Sequence, residues 1–271
     1  MPPASASPVA SIVEGRACEP GGMLRDVAAT PQSRLPVRRI SADDTVDFPD
    51  TEWPRSLPVI AQVLREGIDL GAITVLVGEN GSGKSTLVEA IALAYGMSPE
   101  GGSTGARHTS RQTESAVWKS LVLSRDIGSS RWGFFLRAET MHGFFSYLEN
   151  NPNLHAPEAV FHELSHGESF LEIFSSRFNG PGLYMLDEPE SALSFSGCLA
   201  LVQLLRQIAA RGDAQAIIAT HSPILAAVPG ARIFEIGDWG LRETPWNELA
   251  LVQNWSSFLQ DPQRYLRHLI D

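Results

Sequence analysis

The chain has 271 residues, a formal net charge of −10, 43% apolar residues and 19% charged residues. Such a balance suits a soluble globular protein that buries its core without disulfide or metal staples, and the acidic excess argues against general attraction to nucleic-acid phosphates or anionic lipid. Cys18 and Cys198 stand far apart, which excludes a disulfide framework and a cysteine-based zinc site and fits a reducing compartment. No apolar run approaches the roughly 18–20 residues of a membrane-spanning helix. The first residues lack the basic-then-apolar pattern of a secretory signal. A cytoplasmic location is expected.

Residues 1–34 are rich in Pro, Ala, Ser and Gly without apolar periodicity; too little surface can be buried there to offset chain entropy, and a disordered extension is expected. Residues 35–271 read as one domain. Pro36 to Ser41 suits a first strand, and polar Asp43 to Trp53 a loop. Leu57 to Leu64 places Leu57, Ile60, Ala61 and Leu64 at helical spacing. Ile73 to Val77 is a buried strand and Ser85 to Tyr95 a helix rich in Ala and Leu; Ser98 to Glu114 reads as a long loop and Trp132 to Leu136 as a strand. Met141 to Phe161 is an aromatic-bearing region with an Asn-Pro-Asn break. Leu183 to Leu186, Ala216 to Ala219 and Ile233 to Ile236 are short apolar strands, the first two separated by a helix over Cys198 to Arg211. Asn247 to Ile270 reads as two short helices split at Asp261-Pro262. Strands alternating with helices predict an α/β fold with a largely parallel sheet.

Between the Ile73–Val77 strand and the next helix lies Gly78-Glu79-Asn80-Gly81-Ser82-Gly83-Lys84-Ser85-Thr86. It satisfies G-x-x-x-x-G-K-[ST], the loop whose backbone N–H groups cradle nucleotide phosphates. The helix N-terminus adds partial positive charge at the same point. Lys84 is expected to reach the β- and γ-phosphates, and the Ser85 hydroxyl to ligate Mg²⁺. The loop specifies a nucleoside triphosphate, not a reaction.

Three more motifs narrow the class. Gly182 to Glu190 is an apolar strand ending in Asp187 and Glu188. Asp187 is the candidate Mg²⁺ ligand and Glu188 the candidate general base. The alternative for the pair is a strand that ends in a solvated acidic turn. Ala216 to Pro223 is a second buried run, ending in Thr220-His221; His221 would sit where open α/β sheets bind ligands, near a γ-phosphate and its attacking water, or else serve as a structural histidine. Leu164 to Ser169 reads L-S-H-G-E-S before an apolar helix. Ser165 with Glu168 three residues on matches a capping box, and the same helix start is an anion site.

Taken in order, these stretches resemble the ATP-binding cassette (ABC) ATPases: a Walker A loop, an L-S-x-G-[QE] signature, a Walker B strand with Asp-Glu, and a Thr-His strand. Asp187 follows Ser165 by 22 residues, and His221 follows Asp187 by 34. Phe134 to Glu139 (F-F-L-R-A-E), Leu186 to Ser194, Ile217 to Leu225 and Asp261 to Leu269 are similar to a compact, soluble bacterial branch often labelled AAA-family or ABC-type ATPase. The resemblance covers roughly Leu35 to the C-terminus. It implies a P-loop NTPase fold with a mixed or parallel central sheet and a small helical signature subdomain near residues 140–180. It also implies ATP and Mg²⁺ as ligands, and a head-to-tail homodimer in which Ser165, Gly167 and Glu168 of one copy face the phosphates bound by the other. Ser191 to Ser194 resembles the D-loop. Glu139 takes the place of the Q-loop glutamine and would help position Mg²⁺. The sequence departs from the transporter pattern at His166, Glu168 and Glu139. Trp53, then Phe48, is the candidate adenine-stacking aromatic, with a core aromatic as the alternative for each.

Three readings of the ATPase follow. The first is a free-standing enzyme that dimerises with ATP and drives a conformational change in an unidentified protein partner. The second is the ATP-binding subunit of a membrane transporter, with Met141, Phe144, Phe145 and Tyr147 as a candidate coupling surface. The third is a DNA-maintenance ATPase of the RecF or Rad50 kind. The last is disfavoured by the acidic balance, the absence of heptads, and the mere 81 positions from Lys84 to Ser165. A nucleotide-gated binding module is the non-enzymatic alternative; the joint presence of Lys84, Ser85, Asp187, Glu188 and His221 favours an enzyme.

Overall fold

The computed structural model describes residues 33–43, 45–46, 53–104, 116–137 and 178–267. The first part of the chain runs β1 (Arg39–Ala42), α1 (Pro58–Glu66), β2 (Ile68–Asp69), β3 (Ile73–Gly78), α2 (Lys84–Tyr95), β4 (Gly102–Ser103), β5 (Leu121–Ser124) and β6 (Gly133–Arg137). Next come β7 (Gly182–Asp187), α3 (Phe195–Arg211), β8 (Ala214–Thr220), α4 (Pro223–Ala226), β9 (Arg232–Gly237), β10 (Gly240–Glu243), α5 (Ala250–Gln260) and α6 (Gln263–Leu266).

Among the described residues, seven strands form the central sheet in the order β10-β9-β3-β8-β7-β6-β4. The inner five are mutually parallel, and β10 and β4 are antiparallel edges. The inner strands are continuous apolar runs because helices cover both of their faces. Alternate residues go to opposite sides. Val75, Val77, Tyr184, Leu186, Ala216 and Ile218 join α3 residues Leu201, Leu205 and Ile208 in one core layer. Leu76, Leu183, Met185, Ile217 and Ala219 join Val59, Val63, Leu87, Val88 and Ile91 of α1 and α2 in the other.

A smaller antiparallel sheet, β2-β1-β5, lies on the α1–α2 side. Its N-terminal lead-in is fastened by Gln215, a fully buried β8 side chain. Gln215 Oε1 accepts the Val37 N–H at 2.8 Å, and Nε2 donates to Val37 O at 2.7 Å and Gly71 O at 2.9 Å. On the opposite flank, buried Glu235 of β9 accepts from Arg242 at 2.5 Å and from the Ala250 N–H at 2.8 Å, which anchors the start of α5.

The sequence expectations and the elements agree with small shifts. The first strand begins three residues later than Pro36, because Val37 is already committed to Gln215. The helix expected from Cys198 starts at Phe195, capped by the Ser194 hydroxyl, which accepts the Gly197 N–H at 3.2 Å. The C-terminal helices divide at Asp261-Pro262 as expected. β2, β4, β5 and β10 have no counterpart in the sequence reading; β4 falls within Ser98 to Glu114, expected as a loop, because Gly102 and Ser103 pair with Phe135 and Phe134 of β6. No helix among the described residues is long and apolar enough to cross a membrane. Residues 1–32, Phe48, Glu139, Ser165, Gly167, Glu168 and the expected signature region at 140–180, as far as residue 177, lie outside the described residues.

Candidate active site

β3, β8 and β7 are neighbours and point the same way, so their carboxyl ends share one edge of the sheet. Val77 pairs with Thr220, and Asp187 with Ala219. This register brings Gly78, His221 and Glu188 together although they are far apart in sequence. A carboxyl edge of this kind is where open α/β sheets bind ligands.

The phosphate loop leaves β3 at Gly78, where a Cβ would fall 2.5 Å from Ile236 O and 2.8 Å from Ser82 Oγ. Gly83, at φ +97°, closes the loop in the left-handed region and starts α2. Lys84 is buried to 3% exposure, and its Nζ donates to Gly78 O at 2.9 Å and Glu79 O at 2.8 Å. Burial lowers its pKa from the ordinary lysine value, and the charges of Glu188, Asp187, Glu190 and Glu79 oppose that shift. Ser82 Oγ is buried without a hydrogen-bond partner.

The next α2 residue, Ser85, donates its hydroxyl to Asp187 Oδ1 at 2.9 Å. Two of the three residues assigned to Mg²⁺ from sequence, Ser85 and Asp187, therefore meet. Two oxygen donors side by side fit a Mg²⁺ ion, which takes few protein ligands and completes its shell with waters and substrate phosphates. Asp187 Oδ2 faces a partner that sequence reasoning missed. Arg137, at the end of β6 and in register with Asp187, places Nε 3.3 Å from it. Its Nη1 donates to Glu89 Oε2 at 2.7 Å.

Glu188 follows Asp187 in the left-handed region, at φ +51°, a conformation uncommon outside glycine. That turn ends β7 and swings the Glu188 carboxylate toward His221, whose Nε2 lies 3.3 Å from Glu188 Oε1. His221 Nε2 is buried and makes no hydrogen bond. Its backbone N–H donates a hydrogen bond to Glu190 Oε1, while Glu190 Oε2 is buried without a partner. Glu190 is a site residue that sequence reasoning missed; its signal is a carboxylate three residues past Asp187. Glu79, Asn80, Glu188, Glu190, Ser191 and His221 line an open cleft of about 580 Å³.

Trp53 is 61% exposed. It is therefore no core residue, and with Ser85, Thr86, Glu89 and Arg137 it lines a second cleft of about 210 Å³. Among the described residues no cluster of three or more His, Cys, Asp or Glu side chains forms a metal cage.

The protein family described as ABC transporter matches residues 62–191, from within α1 through the phosphate loop to Ser191. That stretch, just under half of the chain, is similar to the ABC family. The arabinose import ATP-binding protein AraG of Ralstonia nicotianae is 29% identical over 195 residues, which cover 63% of this chain and 37% of that protein. This chain thus spans little more than a third of that relative's length. Among solved structures, an inward-facing putative metal-chelate type ABC transporter aligns over 84% of this chain and 90% of its own, with TM-score 0.47 and 14% identity. The SMC head domain from Thermotoga maritima aligns over 78% and 100%, with TM-score 0.42 and 14% identity. In this chain the phosphate-loop residues, Asp187, Glu188 and His221 converge on the same sheet edge.

Proposed function

We propose that this chain is an ABC-type ATPase that binds ATP with Mg²⁺ and hydrolyses it, as an ATP-dependent head-to-tail homodimer that passes a conformational change to an unidentified protein partner in the cytoplasm. The reading is carried by one observation: the Ser85–Asp187 contact and the Glu188–His221 contact lie side by side at the carboxyl ends of adjoining parallel strands.

Each residue's part follows from its chemistry. Residues 78–86 wrap the triphosphate with backbone N–H groups, and Lys84 exchanges the Gly78 and Glu79 carbonyls for phosphate oxygens. Ser85 and Asp187 would hold Mg²⁺, with Glu139 as a further ligand by resemblance; bound there, the ion would neutralise charge on the phosphate oxygens. Glu188 accepts a proton as a water oxygen attacks the γ-phosphorus and the bond to the β-phosphate oxygen breaks, which leaves ADP and phosphate. His221, 3.3 Å from Glu188, orients that carboxylate and through it the water. Trp53 offers an exposed indole on which adenine stacks. Ser165, Gly167 and Glu168 of the second copy complete the site across the interface.

Light scattering and phosphate release, on wild type and Glu188→Gln with and without Mg-ATP, test this reading. The variant is expected to form a dimer with ATP and release almost no phosphate. Hydrolysis at the wild-type rate by Glu188→Gln would remove Glu188 as the base. Absence of an ATP-dependent dimer in both proteins would remove the homodimer. The likeness to an import ATP-binding protein favours a second reading, a transporter subunit, for which a membrane protein copurifying with this chain is the test.

A further inference from the structure

Arg137 has no part in the mechanism above, yet it faces the carboxylate assigned to the metal. It stands at the last position of β6, directly in register with Asp187 on β7. The Asp187 side chain is 6% exposed; its Oδ1 accepts the Ser85 hydroxyl at 2.9 Å, and its Oδ2 lies 3.3 Å from Arg137 Nε. The Nε group is buried and makes no hydrogen bond. The contact with Asp187 is therefore charge against charge without the directed, bidentate geometry that makes an arginine–carboxylate pair strong. The guanidinium is instead fastened from behind: Nη1 donates to Glu89 Oε2 at 2.7 Å and to Pro99 O at 3.4 Å. Glu89 lies one helical turn after Ser85 on α2. A fixed positive charge thus occupies the flank of the metal position while remaining weakly bonded to the ligand itself.

We propose that Arg137 is a positioning residue that shields Asp187 from bare divalent cations, so that the metal enters only together with a nucleotide. A dication approaching Asp187 alone meets the guanidinium charge and must compete with it for the carboxylate. A nucleotide changes that balance, because its phosphates supply both negative charge and further oxygen ligands. The inference rests on the reading of Ser85 and Asp187 as the Mg²⁺ position.

Mn²⁺ binding, followed by electron paramagnetic resonance of the free ion, is the test. It is made on the full chain with and without a non-hydrolysable ATP analogue. Wild type is expected to bind Mn²⁺ weakly alone and tightly with the nucleotide. Arg137→Gln is expected to bind Mn²⁺ alone about tenfold more tightly than wild type, a free-energy change of about 1.4 kcal/mol. Its gain on adding nucleotide should shrink by the same factor. Arg137→Lys, which keeps a charge, should stay near wild type. Arg137→Gln combined with Glu89→Gln leaves no unpaired Glu89 carboxylate, and serves if the single variant melts early. A purely structural role would lower or leave unchanged the affinity for Mn²⁺ alone, and that result in both variants overturns the inference. Failure of wild type to bind Mn²⁺ even with nucleotide would instead overturn the metal position, and the shielding role with it.

Discussion

Glu188 Oε1 and His221 Nε2 face each other at 3.3 Å across the ends of adjacent strands β7 and β8. The contact exists because Glu188 takes a left-handed backbone turn as it leaves β7. The carboxylate is thereby aimed along the sheet edge toward His221 and lines the same open cleft as Glu79 and Asn80 of the phosphate loop. Its Oε1 is the atom expected to receive the proton of the attacking water.

Removing that acceptor should therefore stop chemistry before it stops binding. Glu188→Gln is expected to cut phosphate release by about 10²–10⁴-fold with little change in ATP affinity. His221→Ala should cost less, about tenfold to a hundredfold, since it orients rather than accepts. Single-turnover phosphate release set beside nucleotide titration separates the two effects. An equal loss of affinity would place both residues in binding.

Glu190 holds the His221 backbone in place through its Oε1. A hydrogen bond to a charged acceptor is worth about 1.5–3 kcal/mol. Glu190→Ala is expected to lower phosphate release by tenfold or more, whereas Glu190→Gln, which keeps an acceptor oxygen, should recover most of it. The same ordering should appear in the ¹H–¹⁵N shift of the His221 amide. If the glutamine variant falls as far as the alanine variant, the negative charge is what matters.

Lys84 carries a pH signature. Burial lowers its pKa from the ordinary value of 10.5 in the free protein. A bound triphosphate favours the charged ammonium, so binding raises that pKa and takes up protons at alkaline pH, between the lowered value and the raised one. The heat of ATP-analogue binding near that range should then vary with the ionisation enthalpy of the buffer, in the sense of proton uptake. Calorimetry in two buffers reads it directly. Proton release, or none, would mean that Lys84 does not pair with phosphate.

Gln215 closes the N-terminal lead-in onto the central sheet with three buried hydrogen bonds. Gln215→Leu leaves the Val37 N–H and the Val37 and Gly71 carbonyls without that partner. A cost of about 2–4 kcal/mol is expected from such orphaned groups. Urea unfolding should show a lower midpoint with an unchanged slope. A midpoint within error of wild type would mean that water replaces the amide.

The parts of the fold and site that were legible from sequence are those written in consecutive residues. A buried parallel strand is an apolar run, and β3, β7, β8 and β9 were visible as such. The residues with chemistry stand at their carboxyl ends, so Lys84, Ser85, Asp187, Glu188 and His221 could be named with their roles. β5 and β10 were not visible. They lie outside the five inner parallel strands, their exposure is mixed, and Leu121–Ser124 and Gly240–Glu243 are too short for a clear alternation. Trp53 could be read as a core aromatic or a stacking platform, because hydrophobicity alone does not say which side faces solvent.

The sequence by itself determined the strand–loop–helix that binds phosphate and the acidic and histidine strand ends, since local backbone geometry and burial dictate both. Only the tertiary structure decided which of these ends touch. Ser85 reaches Asp187 across 102 residues, Glu190 reaches His221 across 31, and Gln215 reaches Val37 across 178. Arg137 reaches Asp187 only because β6 and β7 pair in register. Such contacts depend on strand order and on side-chain directions set by packing, and neither is encoded in any local stretch of the chain.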